Sequence, residues 1–142
     1  MSQASPNFSL AELTRTDTGL GNEPTVEAGA ALVRLCETLL EPMRAMVGPL
    51  RVNSGFRSVE VNRRVGGVAT SQHCNGEAAD IYPVRVSPSV LFDLTAASDL
   101  PFHQLILEPG WVHVSCAPLG KAPGRDVFKA HRTTGGMRYE PV

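Results

Sequence analysis

The chain has 142 residues, 42% of them hydrophobic and 19% charged, with a formal net charge of −1. That is the length of a single domain able to bury its own core, and the near-neutral balance gives no global drive toward nucleic acid or an anionic membrane surface. No apolar run is long enough to span a bilayer, and the opening MSQASPNFSLAEL lacks the basic-then-apolar pattern of a secretory leader, so synthesis in the cytoplasm is expected.

Residues 1–24 read as a polar, irregular segment in which Phe8, Leu10 and Leu13 anchor one short turn of helix capped by Ser9. Thr25 caps a long helical pattern reaching to about Val47. Leu32, Leu35, Cys36, Leu39, Leu40, Met43 and Met46 form its apolar stripe. Pro42 is expected to kink or restart that helix, and Gly48-Pro49 to end it. Leu50–Ser54 has the pattern of a strand, and Ser54-Gly55-Phe56-Arg57-Ser58 that of a turn. Ser58 caps a helix that Gly66-Gly67 stops. Residues 68–76 read as loop, Ala79 to Val84 as a strand stopped at Pro83, and Ser87-Pro88 as the start of a helix running to about Ser98.

Gln104–Glu108 and Trp111–Ser115 are two apolar strands separated by Pro109-Gly110, the length of a two-residue hairpin loop. Proline at the first loop position does not suit the primed turns, so a wider loop is the alternative. From Ala117 to Val142 the expectation is loop, with one edge strand near Asp126 to Ala130 and a loose end. Helices and short strands interleave without a βαβ rhythm. The fold class is therefore α+β, a single domain over residues 1–142 with helices packed on an antiparallel sheet.

The chemistry concentrates between Arg51 and Ile81, a polar, glycine-punctuated stretch better suited to a site than to a core. His73 offers an imidazole and Asp80 a carboxylate, ligand types that suit zinc. Alone, the pair is weak evidence: a surface histidine and a capping aspartate answer the same description. The hairpin supplies more. With a two-residue loop, Glu108 faces Trp111, and side-chain alternation puts Glu108, Trp111 and His113 on one face. Glu108 and His113 are then diagonal neighbours, roughly 7–8 Å apart between Cα atoms. A strand-end glutamate and an exposed histidine remain the structural alternative. Cys36, Cys74 and Cys116 are odd in number and without a C-x-x-C spacing, which argues against a disulfide framework or a cysteine-rich zinc site. Cys74 reads as a packing residue.

Taken together, Ser54-Gly55-Phe56-Arg57-Ser58, Asn62, Gly66-Gly67, Ser71-Gln72-His73-x-x-Gly76-x-Ala78-Ala79-Asp80-Ile81 and Trp111-Val112-His113 resemble the M15 family of zinc peptidases, which act on peptidoglycan. The match is closest to its short, phage-endolysin-like branch. The resemblance implies one Zn²⁺ held by His73, Asp80 and His113, with an open fourth position. It implies Arg57 as the clamp for a substrate carboxylate, Ser71 and Trp111 as substrate contacts, and Glu108 as catalytic base, since the acid that many members carry three positions before the last histidine is Gly110 here. Ser71 reads equally well as a turn-forming serine, and Glu77 is the next candidate base.

The activity implied is hydrolysis of a stem-peptide amide. L-alanyl-D-glutamate endopeptidase of phage-lysis type comes first and D-alanyl-D-alanine carboxypeptidase second. A non-catalytic zinc module that binds cell wall is the reading from another class. A monomer acting in the periplasm or cell wall is expected, with release through a holin-type partner.

Overall fold

The computed structural model describes residues 2–142. A mixed sheet of six strands forms its frame, in the order β3-β4-β6-β5-β7-β8. The strands are β3 (Leu50–Ser54), β4 (Ala78–Pro83), β5 (Phe102–Glu108), β6 (Trp111–Cys116), β7 (Asp126–Thr133) and β8 (Gly136–Pro141). All neighbours are antiparallel except β5 and β7, which run parallel. The α+β expectation holds, with this one parallel pair as the departure from an antiparallel sheet.

One face of the sheet is closed by helices. The stripe predicted between Thr25 and Val47 is real: Leu32, Leu35, Cys36, Leu39, Leu40 and Met43 are fully buried, while Met46 falls outside it on the exposed side. They meet Val52, Ile81, Leu105, Val112 and Val114 from the sheet, and Leu91 and Phe92 from α5 (Pro88–Ala96). Each such side chain contributes on the order of 1.5–3 kcal/mol by leaving water.

The α-helical ladder is interrupted before Pro42 and restarts around it, as expected, without a break in the helical run. Helix α2 (Val26–Leu35) passes through a π-helical turn at Cys36–Leu40 into α3 (Glu41–Val47). In that wider turn the Glu41 N–H reaches Cys36 O. Pro42, which has no N–H to give, then falls in the first turn of α3, where a donor is not needed. The hydrogen-bond register shifts and the helix continues.

The polar ends are more ordered than expected. Residues 1–24 contain a small two-stranded ribbon, β1 (Gln3–Ser5) with β2 (Phe8–Ser9), followed by α1 (Leu10–Leu13). Ser9 caps α1 as expected and completes a capping box with Glu12. Beyond Ala117 the strand expected near Asp126 to Ala130 is present as β7, longer by three residues, but the expected loose end is not: β8 pairs with β7, and the hairpin is seated against β5. Arg125 anchors its entry, with its N–H donating to Phe102 O and its guanidinium 4.3 Å from the Phe102 ring.

The helix after Ser58 is α4 (Val59–Arg64). Between it and β4, residues 68–76 are not all loop, because Gln72–Asn75 form a 3₁₀ turn.

Leu39 sits in the π turn with no exposed surface. Leu39→Ala should cost about 2–5 kcal/mol, read as a lower urea midpoint with unchanged slope.

Candidate metal centre

Strand β4 carries the hub. Ala79, Ile81 and Pro83 point into the core, so alternation turns Asp80 to the opposite face. Asp80 is paired with Ser54 of β3 on one side and His113 of β6 on the other. The β5–β6 loop has two residues after all: Glu108 faces Trp111 and Ile106 faces His113. Pro109 followed by Gly110 at φ +100° matches a type II turn, which accepts proline first and needs glycine second. Glu108, Trp111 and His113 therefore share the face of Asp80.

His73 arrives from the 3₁₀ turn. Ser71 caps that turn by accepting the His73 N–H at 3.2 Å, which is the loop-steadying role open to it. Gly76 ends the turn at φ +72°, and a Cβ there would stand 2.3 Å from Ala28 O. Only glycine meets both conditions.

Among the described residues, His73, Asp80 and His113 bring their ligand atoms within 4.8 Å of one another. Asp80 Oδ1 lies 2.9 Å from His113 Nδ1 and 3.4 Å from His73 Nε2. His73 Nδ1 is 2.7 Å from Gly55 O. A carbonyl only accepts, so Nδ1 carries the proton and Nε2 keeps its lone pair for the cluster. Burial alone would raise the Asp80 pKa. Hydrogen bonds from His113 and His73, and their charge, outweigh it and hold the carboxyl below its ordinary range.

Two imidazole nitrogens and a carboxylate oxygen, one ring already oriented by a backbone carbonyl, form the donor set of a zinc site with room for a non-protein ligand. Cys74 lies outside the cluster. Its half-buried thiol, pushed up by desolvation, lines a separate cavity beside Thr25 and Ala28.

Arg57 is also at the centre. Its Nη2 is 3.4 Å from Asp80 Oδ2, its Nε donates to Ser54 Oγ at 3.1 Å and its Nη1 to Asn62 Oδ1 at 3.2 Å. It holds the second oxygen of the hub carboxylate, and the guanidinium fork still has N–H groups to offer. The backbone fastens this turn as well, because the Arg57 N–H donates to His73 O at 3.0 Å.

A cavity of about 520 Å³ opens beside His113, with Ser71, Gln72, Gln104, Ile106, Glu108 and Tyr139 in its walls. Trp111 shares the face of His113 but lies outside this cavity. Burial, reinforced by the charge of Asp80, raises the Glu108 pKa, while His113 and the Tyr139 hydroxyl pull it down. Glu77 also reaches the cavity, but its carboxylate is taken: Oε1 accepts from Gln72 Nε2 at 3.2 Å and Oε2 lies 3.8 Å from Arg34.

Residues 6–115 match the Peptidase M15 family. The chain belongs to that family. A stretch of 80 residues is 44% identical to the zinc D-Ala-D-Ala carboxypeptidase of Streptomyces albus G, covering 53% of this chain and 31% of that protein. The chain thus matches about a third of the relative's length. The three candidate ligands all fall inside the segment that matches the family.

Sequence reasoning gave no role to Asn22, Asn62 and Tyr139. Asn22 Nδ2 donates to Thr14 O and Phe56 O, and its Oδ1 accepts the Ser58 N–H, so it pins both ends of the Arg57 turn. Asn62 stood among the motif residues without a role; its place four residues after the helix cap was the available signal.

Purified protein should carry about one zinc per chain. Elemental analysis of His113→Ala should show zinc well below stoichiometric, and full occupancy would remove His113 from the ligand set.

Proposed function

We propose that this M15 peptidase is a zinc-dependent hydrolase of an amide bond in the peptidoglycan stem peptide. The observation that carries the reading is the convergence of His73, Asp80 and His113 beside a cavity that has Glu108 in its wall. Zinc held there supplies Lewis acidity, which makes water a competent nucleophile near neutral pH and polarises an amide carbonyl.

The chain's own residues do the rest. Glu108, half-buried and raised in pKa, is a stronger proton acceptor than a solvated glutamate. It takes a proton from water at its carboxylate and delivers it to the leaving amine. Arg57 fixes Asp80 through Oδ2, which leaves Oδ1 facing the two histidines. Ser71, Gln72 and Gln104 offer the cavity hydroxyl and amide groups that match a peptide backbone. Trp111, on the same face but outside the cavity, would be an apolar flank for substrate.

Between the two sub-readings, L-alanyl-D-glutamate endopeptidase comes first. The cavity has room for chain beyond a terminal residue, and Arg57 is already engaged by three side chains. The similarity to a named D-Ala-D-Ala carboxypeptidase, together with the spare N–H groups on Arg57, supports terminal cleavage as the second reading. The proposed place of action is the cell wall, reached with a holin-type partner, and the working unit proposed is the monomer.

Digestion of purified peptidoglycan, read by mass spectrometry, tests the bond. Release of free amino-terminal D-glutamyl peptides is the expected result, and release of D-alanine alone would move the assignment to the carboxypeptidase. Separately, Glu108→Gln should lower turnover by about 10²–10⁴-fold with zinc retained. Loss of turnover in Glu77→Gln, with Glu108→Gln active, would transfer the base to the first segment.

A further inference from the structure

The C-terminal hairpin lies beyond the segment that matches the family, which ends at residue 115. Its placement follows from register. Ile106 of β5 pairs with Phe128 of β7, and Leu107 with Lys129. One step further, Ala130 comes level with Glu108. Across β7, Ala130 pairs with Tyr139 of β8. Paired residues share a face, so Phe128, Ala130 and Tyr139 continue the face that carries Glu108, His113 and Asp80. Ala130 is the small residue between two long ones. Its methyl leaves a gap over β7 that the Tyr139 side chain crosses, bringing its hydroxyl to 3.5 Å from Glu108 Oε1. Tyr139 also forms part of the cavity wall.

We propose that Tyr139 is a positioning residue of the active site: its O–H donates to Glu108 and holds the carboxylate on the metal side of the cavity, so that the C-terminal hairpin completes the site. The proposal rests on Glu108 being the base. Burial of the phenol and the nearby Glu108 charge both favour the protonated form that donates. A carboxylate at a strand end beside a two-residue turn has free rotamers, and a donor on the adjacent hairpin selects one of them. The contact is long for an O–H···O bond and the side chain is 48% exposed. The ring therefore has freedom to close on Glu108 when substrate displaces water from the cavity. Arg125 and the parallel pairing to β5 keep the hairpin in place.

A double-mutant cycle on wall fragments tests this. Tyr139→Phe keeps the ring and should lower kcat about tenfold, the scale of one hydrogen bond to a charged group, with KM, zinc content and Tm near wild type. In the Glu108→Gln background the same change should have no further effect, because the hydroxyl acts through Glu108. Ala130→Leu should reproduce the Tyr139→Phe defect by closing the gap. In the metal-free protein, the Tyr139 Cζ resonance should move on Glu108→Gln. Wild-type kcat in Tyr139→Phe, or an equal loss in both backgrounds, overturns the proposal. Either result leaves the zinc peptidase reading standing, since that depends on the loss caused by Glu108→Gln itself.

Discussion

The site depends on one constraint of register. Asp80 stands on a strand flanked on both sides, level with Ser54 of β3 and with His113 of β6. A slip of one residue in either pairing would turn the carboxylate into the core or carry its partner to the wrong face. The core enforces the register, because Ile81 must be inside with Val112 and Val114, and all three are fully buried. Apolar packing of the helix stripe thus fixes the position of a polar cluster on the opposite face. The geometry of the centre is set by burial that never touches it.

The cluster gathers charge that would be costly if left alone. Taking a carboxylate out of water is repaid only when its oxygens are well partnered. Asp80 meets that condition with one oxygen toward two imidazoles and the other toward Arg57. The rings are themselves constrained. Gly55 O sets the tautomer of His73, and the 3₁₀ turn that presents it is stopped by a glycine against the α2 backbone. His73, Asp80 and His113 would hold zinc with ligand atoms that already face one another.

Much of this was legible in the sequence, because the signals were local or chemical. The helix stripe followed from spacing, the caps Ser9, Thr25, Ser58 and Ser87 from residue type, and the candidate ligands from the resemblance of the motif to the M15 family. The facing of Glu108 and Trp111 followed from the length of the hairpin loop. What was hidden depended on distance along the chain. Arg57 reaches Asp80 across 23 residues, and nothing near Arg57 announces that contact. Asn22 braces a turn 34 residues away. The π turn was hidden because a Pro at position 42 has the same spacing whether the helix breaks or shifts its register. Strand β7 was expected near Asp126 to Ala130, but its partner β8 and their pairing were missed, because the hairpin is exposed on most positions. Its polar residues carry no burial pattern, and its strand character comes from pairing with β5.

The central claim is a nitrogen–oxygen zinc centre assembled by two strands and one 3₁₀ turn, with the neighbouring thiol excluded. X-ray absorption at the zinc edge of the purified, zinc-loaded protein tests it most directly. The account predicts a first shell of light scatterers near ~2.0–2.1 Å, with the multiple-scattering signature of imidazole and no sulfur. A scatterer near ~2.3 Å, the zinc–sulfur distance, would place Cys74 in the shell and contradict the account.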